Sequence, residues 1–388
     1  MKKKLLTILL AVSTMISGVA YSDFYAKGAT GEPNVAAEGE KAVTSQGPTT
    51  VTPQGPTVTP QGPIVTPQGP TVTPQGPAVD PPVVTTHPAG TALTNGTDKY
   101  TVTAQGTTVA YTGTTAAGTI TIPATVTIDG ISYQVTSIAE GAFKDNQNIT
   151  AVIIGENVAE IGNAAFSGCS KLESVAMNMN VTVIGKEAFY NCIALTAIEI
   201  PKTVTTLNER TFMGCTALKT VTLNEGLLTI EKAVFRNCSA LKEIEVPKSV
   251  TILKANSFNG CAKLSSVELK AGLTTIGKQA FANCIALKNI TIPKGVTTIK
   301  AKAFYGDTKL ATVTIGKGIK SIKKEAFYGC KKLSVITIKS TVLTSVQSNA
   351  FYGIKNLALI RVKSSKLSAY TKLLNGKGQG SKVAVVRI

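Results

Sequence analysis

The chain has 388 residues, with 40 Lys and Arg against 22 Asp and Glu, a formal net charge of +18. Trp is absent and His occurs once, as His87, which excludes His-based catalytic triads and His-rich metal sites. The seven cysteines are an odd number, so a full disulfide framework cannot close within one chain.

The first 22 residues read MKKKLLTILLAVSTMISGVAYS. Three lysines precede an apolar run, Leu5 to Ile16, that is too short to span a bilayer. Ala20 and Ser22 are small residues placed for cleavage before Asp23, so 1–22 is expected to be a secretory signal peptide. No later stretch approaches the ~20 apolar residues of a membrane span. Residues 23–97 are expected to form a Pro/Thr/Gly-rich stalk or linker. Glycines 55, 62, 69 and 76 recur every seven residues in a GPTVTPQ-like unit. Proline at that density blocks helix and central strand, and too little apolar surface is present to offset ordering.

From Asp98 the pattern changes to alternating apolar and polar residues with Gly-containing turns, as in YTVTAQGTTVAYTG and GTITIPATVTIDG. These are strand and hairpin signals, and 98–138 is expected to be a β-rich N-terminal cap.

Phenylalanine then recurs at 143, 166, 189, 212, 235, 258, 281, 304, 327 and 351, at intervals of 23 residues and a last one of 24. Six residues after each Phe stands an aliphatic, from Ile149 to Leu357. Nine after stands Val or Ile, and eleven after another apolar residue. Period-2 spacing points the ninth and eleventh positions to one face of a short strand. One such unit cannot bury that face alone, whereas a stack of units shares a continuous core. The expected fold is a right-handed, β-rich leucine-rich repeat solenoid of about ten 23-residue repeats over 139–362, with a C-terminal cap over 363–388. At ~4.8 Å per strand its sheet would run ~45–50 Å.

The unit AFxGCxxLxxVxIPxxVxxI resembles the BspA-like leucine-rich repeats of bacterial secreted and surface proteins, across residues ~98–388. The resemblance implies a concave parallel sheet, a convex side of short strands and turns, display outside the cell, and adhesion to host or bacterial ligands. Ligands vary within that family, so the partner stays open.

All seven cysteines, 169, 192, 215, 238, 261, 284 and 330, stand three residues after a repeat Phe. Cys330 precedes Lys331 and Lys332, and flanking cations lower a thiol's pKa. A catalytic thiol is placed once, however, and seven at one register position read as a packed structural ladder. Charge is less easily explained by folding. Residues 270–388 hold 22 Lys and Arg but only two acids, Asp307 and Glu325. A field of one sign recruits anions. Tyr305, Tyr328 and Tyr352 follow the repeat Phe in three successive units, with Lys309, Lys331 and Lys332 a few residues on. With Lys363 and Lys366 these are the candidate ligand-binding residues, able to stack sugars and meet acidic groups. On the strand face, Glu245 and Glu268 stand on adjacent rungs at a separation that would suit a retaining glycosidase, but adjacent rungs always give that separation.

The expected function is non-catalytic binding of an extracellular protein or glycan, with anionic ligands among the candidates. One alternative has the basic end attach the protein to anionic wall polymers or acidic glycans, and another makes it a polysaccharide-acting enzyme. Neither a cofactor nor a nucleic-acid partner is expected, since no phosphate loop, metal cluster or nucleic-acid module is found.

Overall fold

The computed structural model describes residues 86–104 and 106–388. The expected signal peptide and the linker as far as residue 85 lie outside the described residues. The last part of that linker differs from expectation, because it is folded. Strand β1 (Ala92–Asn95) pairs antiparallel with β2 (Asp98–Ala104) in register Asn95↔Asp98. Leu93 is buried, Gly96 supplies the positive φ of the turn, and His87 Nδ1 lies 2.6 Å from the Tyr133 hydroxyl. An apolar anchor and a two-residue turn of Gly96 and Thr97 suffice to make a hairpin here.

Strand β2 pairs antiparallel with β3 (Thr108–Thr114). After β4 (Gly118–Ile122) and β5 (Thr125–Ile128), β6 (Ile131–Ile138) runs parallel to β3. Strands β4 and β6 already hold the two sheet positions of a rung: β4 pairs in parallel with Ile149–Ile154, and β6 with Glu160–Ile161.

Each rung that follows has the same course. In the rung of Phe281, a turn carries Phe281 and Cys284, and the strand Asn289–Ile292 follows. A corner at Pro293 and Lys294 leads to the two-residue strand Thr298–Ile299, and the next turn begins. Leu287, Ile290, Ile292, Val296 and Ile299 point inward and are at most 2% exposed. The longer strands stack in parallel, as Asn289↔Thr312 and Thr312↔Val335 show, and so do seven two-residue strands from Thr206–Leu207 to Ser345–Val346. Each aliphatic so buried contributes about 1.5–3 kcal/mol, and only a neighbouring rung can cover it.

The ten Phe rings stack face to face through the core, 4.9 to 5.6 Å between centroids, and Tyr111 begins the column 5.5 Å from Phe143. Two residues after each Phe the backbone takes positive φ, and Asp or Asn alternates with Gly there: Asp145, Gly168, Asn191, Gly214, Asn237, Gly260, Asn283, Gly306. Packing explains the alternation. A Cβ added to Gly214 would collide with the Asn191 carboxamide oxygen, so a side chain on one rung requires glycine on the next. The alternation ends at Gly306, Gly329 and Gly353, three glycines in succession.

The last rung corrects one expected core position. Leu357 is 67% exposed and Ala358 is fully buried in its place. The turn here closes from Ala358 N–H to the Lys355 carbonyl, where the rung before closes from Leu333 to Cys330, while the strand beyond keeps register, Val335↔Leu359. The extra residue of the 24-residue interval lies in the corner between Ile338 and Ser345. After it come a 3-10 turn at Ser364–Lys366, helix α1 (Leu367–Leu374), and a final strand Ala384–Arg387 parallel to Leu359–Val362. The Lys377 carbonyl accepts the Phe351 N–H at 3.1 Å, the role Ala350 plays for Phe327, so the cap imitates a further rung.

Candidate functional site

The cysteines form one buried column. Each thiol donates to the carbonyl of the preceding rung's Phe, from Cys169 to Phe143 at 2.9 Å to Cys330 to Phe304 at 3.1 Å. All seven are free. Burial pushes the Cys169 thiol up to about 12, and Cys330 well above its ordinary range, with the Asp307 charge adding to the latter. The cations beside Cys330 do not reverse this, because Lys331 and Lys332 are exposed while the sulfur is interior.

One rung interrupts the column between Cys169 and Cys330. Asp307, fully buried, stands where the rungs on either side carry Cys, and its Oδ1 accepts the Cys284 N–H at 2.8 Å, while the first and last rungs carry Asn146 and Ile354. Its Oδ2 has no hydrogen-bond partner. Burial raises this carboxyl well above the usual range, more than the Cys284 N–H lowers it.

Tyr305, Tyr328 and Tyr352 form a second stack on the surface, 5.0 and 4.8 Å between centroids and within 16° of parallel. Lys302 Nζ lies 5.3 Å from the Tyr305 ring centroid. The rings cover one another's faces, so the ladder presents edges and hydroxyls outward rather than open faces for sugar stacking. Lys309, Lys331 and Lys332 are exposed on the same turns, ahead of the longer strands. Lys363 and the half-buried Lys366 lie past the end of a longer strand. From Lys332 to Lys339, at the corresponding far end of its own rung, the near-extended chain spans roughly 20 Å. The eight candidate residues therefore divide between two edges of the coil.

Two neighbouring carboxylates of the strand face are tied up. Glu245 and Glu268 are in register, and Lys270 Nζ sits 3.1 and 2.5 Å from them. Glu325 takes Lys302 at 3.3 Å and Lys324 at 3.4 Å. Among the described residues, the remaining Lys and Arg of 270–388 make no ion pair. Sequence reasoning named Lys363 but did not join it with Lys294, Lys317 and Lys339 as a row at the corner after each longer strand. Their recurrence twelve or thirteen residues after Phe was the available signal.

The model of the BspA type leucine rich repeat region matches residues 136–265 and 252–376, with six copies. No curated protein matches the chain. A solved leucine-rich repeat protein from Bacteroides ovatus is 22% identical over 76% of this chain and 99% of its own, with TM-score 0.45. The pneumococcal vaccine antigen PcpA is 20% identical over 78% of this chain and 100% of its own, with TM-score 0.43. A leucine rich cell surface protein from Faecalibacterium prausnitzii is 23% identical over 65% of this chain and 95% of its own, with TM-score 0.33. The family match runs through the 23-residue rungs and covers more than half of the sequence, and the chain belongs to the BspA-type leucine-rich repeat family.

Proposed function

We propose that this is an exported, surface-associated protein that binds an extracellular protein or glycan without chemistry. The observation that carries the reading is the outer face of the longer strands. Short polar side chains recur there, among them Thr220, Thr222, Thr291, Thr312 and Thr314, with Glu243, Glu245 and Glu268 on the rungs between. A broad face of that kind suits contact with a large partner rather than enclosure of a small substrate. The salt-bridged Glu245 and Glu268 lend an enzymatic reading no support. The test is retention of the mature chain by matrix-coated surfaces or bacterial cells. Retention that survives high salt supports this reading, and no retention on any surface overturns it.

A second reading has one specific observation in its favour: among the described residues, the cations of 270–388 other than Lys270, Lys302 and Lys324 make no ion pair. There the basic end, with Lys309, Lys331, Lys332, Lys363, Lys366 and the tyrosine ladder, holds an anionic wall polymer or acidic glycan. Reversing Lys309, Lys332, Lys363 and Lys366 together then abolishes retention, and salt alone elutes the protein as the screening length falls to ~3 Å at 1 M.

A further inference from the structure

We propose that Lys294, Lys317, Lys339 and Lys363 form a binding site for a linear acidic polysaccharide laid along the solenoid axis. The inference rests on the glycan-binding side of the reading above and gives it a place and a ligand class.

The four lysines occupy the corner that follows the longer strand on four successive rungs, and all are exposed. Rungs repeat every 5 to 6 Å, as the 5.2 and 5.6 Å ring separations from Phe304 to Phe327 to Phe351 show. One cation per rung thus makes a line of positive charge along the axis, staggered by one backbone position between Lys317 and Lys339, since Lys294 and Lys317 stand two residues past their strands and Lys339 and Lys363 one. None of the four makes an ion pair among the described residues. The neighbouring rung behaves differently, since Lys270 is engaged by Glu245 and Glu268. Earlier still, the same corner mixes signs, with Glu156 and Glu225 beside Lys202 and Lys248. Folding therefore accepts either charge at this corner, and the uniform row is confined to the last rungs.

The residue types narrow the ligand. The row is all lysine, and of the 22 cations in 270–388 only Arg361 and Arg387 are arginine. Lysine offers a mobile point charge without the planar fork that grips phosphate in a bidentate manner. Thr297, Thr341, Ser364 and Ser365 stand exposed close to the row in sequence, supplying hydroxyls of the kind that pair with sugar hydroxyls. The aromatic ladder lies at the other end of the longer strands, so this corner lacks the stacking platforms that single-stranded nucleic acid uses. Repeated charge, hydroxyls and no fork fit a chain of sugars carrying carboxylate or sulfate groups.

The experiment measures binding of the mature chain to hyaluronate, dextran sulfate, neutral dextran and oligo-dT, at low and high salt. Binding to hyaluronate or dextran sulfate, with none to neutral dextran and weaker binding to oligo-dT, is expected. Replacing the four lysines by Gln should weaken that binding roughly tenfold or more, because each removed charge lowers the salt-dependent part of the affinity. Replacing Lys202 and Lys248 on the same corner should leave it within about twofold. Unfolded-state artefacts are removed by matching circular dichroism, and K317Q/K339Q is the milder variant if the quadruple one misfolds. Equal binding to oligo-dT, equal loss in the Lys202/Lys248 control, or no loss in the row variants overturns the proposal. So does absence of binding to the acidic polymers. Retention on cells in that last case would leave the broader binding function standing, and loss of both would remove it too.

Discussion

Asp307 is the one carboxyl in a column built for thiols, and replacing it tests the account of that column. A cysteine at this position does two jobs. Its sulfur receives the N–H of the preceding rung's cysteine, as Cys215 does from Cys192, and its S–H donates to the preceding rung's Phe carbonyl. Asp307 does the first through Oδ1, at 2.8 Å from the Cys284 nitrogen. The second requires a proton on the carboxyl, because a carboxylate has no donor for the Phe281 carbonyl. Burial supports the same state by raising the carboxyl well above the ordinary range. The titratable groups flanking it in the column are the Cys284 and Cys330 thiols, whose values are also raised, first by burial and then by Asp307.

The unfolded chain ionises Asp307 near pH 3.9, whereas burial raises the folded value, so between the two values folding takes up one proton. A folded value raised above the unfolded one gives stability that is complete below the unfolded value. It is then lost as pH rises towards the folded one. The loss is about 1.4 kcal/mol per pH unit between the two values. D307C, which restores the column, and D307N, which keeps a neutral donor and acceptor, both remove this term. Urea unfolding of the three proteins from pH 4 upward should show nearly parallel curves for the variants. The wild type should fall away from them by about 1.4 kcal/mol per unit. A gap between D307C and wild type that does not change with pH would refute the reasoning, as would a D307C that is less stable at neutral pH.

Two other outcomes follow from the turn and the column. G214N should cost about 1–3 kcal/mol more than G329N in thermal or urea unfolding, because a side chain at 214 meets Asn191 whereas one at 329 meets only Gly306 backbone at 3.8 Å. Equal costs would mean that the alternation of Asn and Gly reflects backbone preference alone. The folded protein should show no rapidly reacting thiol towards a disulfide reagent at pH 8, and all seven should react once it is unfolded, since thiolate formation is opposed by burial at every position. One fast thiol in the folded state, Cys330 in particular, would return that residue to consideration as a reactive site.

What the sequence makes legible here is whatever the 23-residue register repeats. Phe281, Leu287, Ile290 and Ile292 can be placed in the core from spacing alone, and each lies inward at 2% exposure or less. Exceptions to the register are read less well, because their cause lies on a neighbouring rung. Leu357 keeps its count from Phe351 yet turns out to solvent, since the turn before the last strand closes from Ala358 N–H to the Lys355 carbonyl, one residue later than the Leu333 to Cys330 turn of the rung before. Asp307 looks like a substitution in a list, and only the thiol-to-carbonyl bonds of the rungs around it reveal that it interrupts a ladder of buried donors. The candidate surface divides for the same reason. Lys309, Lys332 and Lys363 seem one basic patch when counted along the chain, but a rung folds them to opposite ends of its longer strand. Across rungs, by contrast, residues 22 to 24 apart become neighbours. Lys294, Lys317, Lys339 and Lys363 are spaced in that way. In a solenoid the surface that matters to a long ligand is therefore written down the columns, and a row of like charge there is constrained by nothing in the core beneath it.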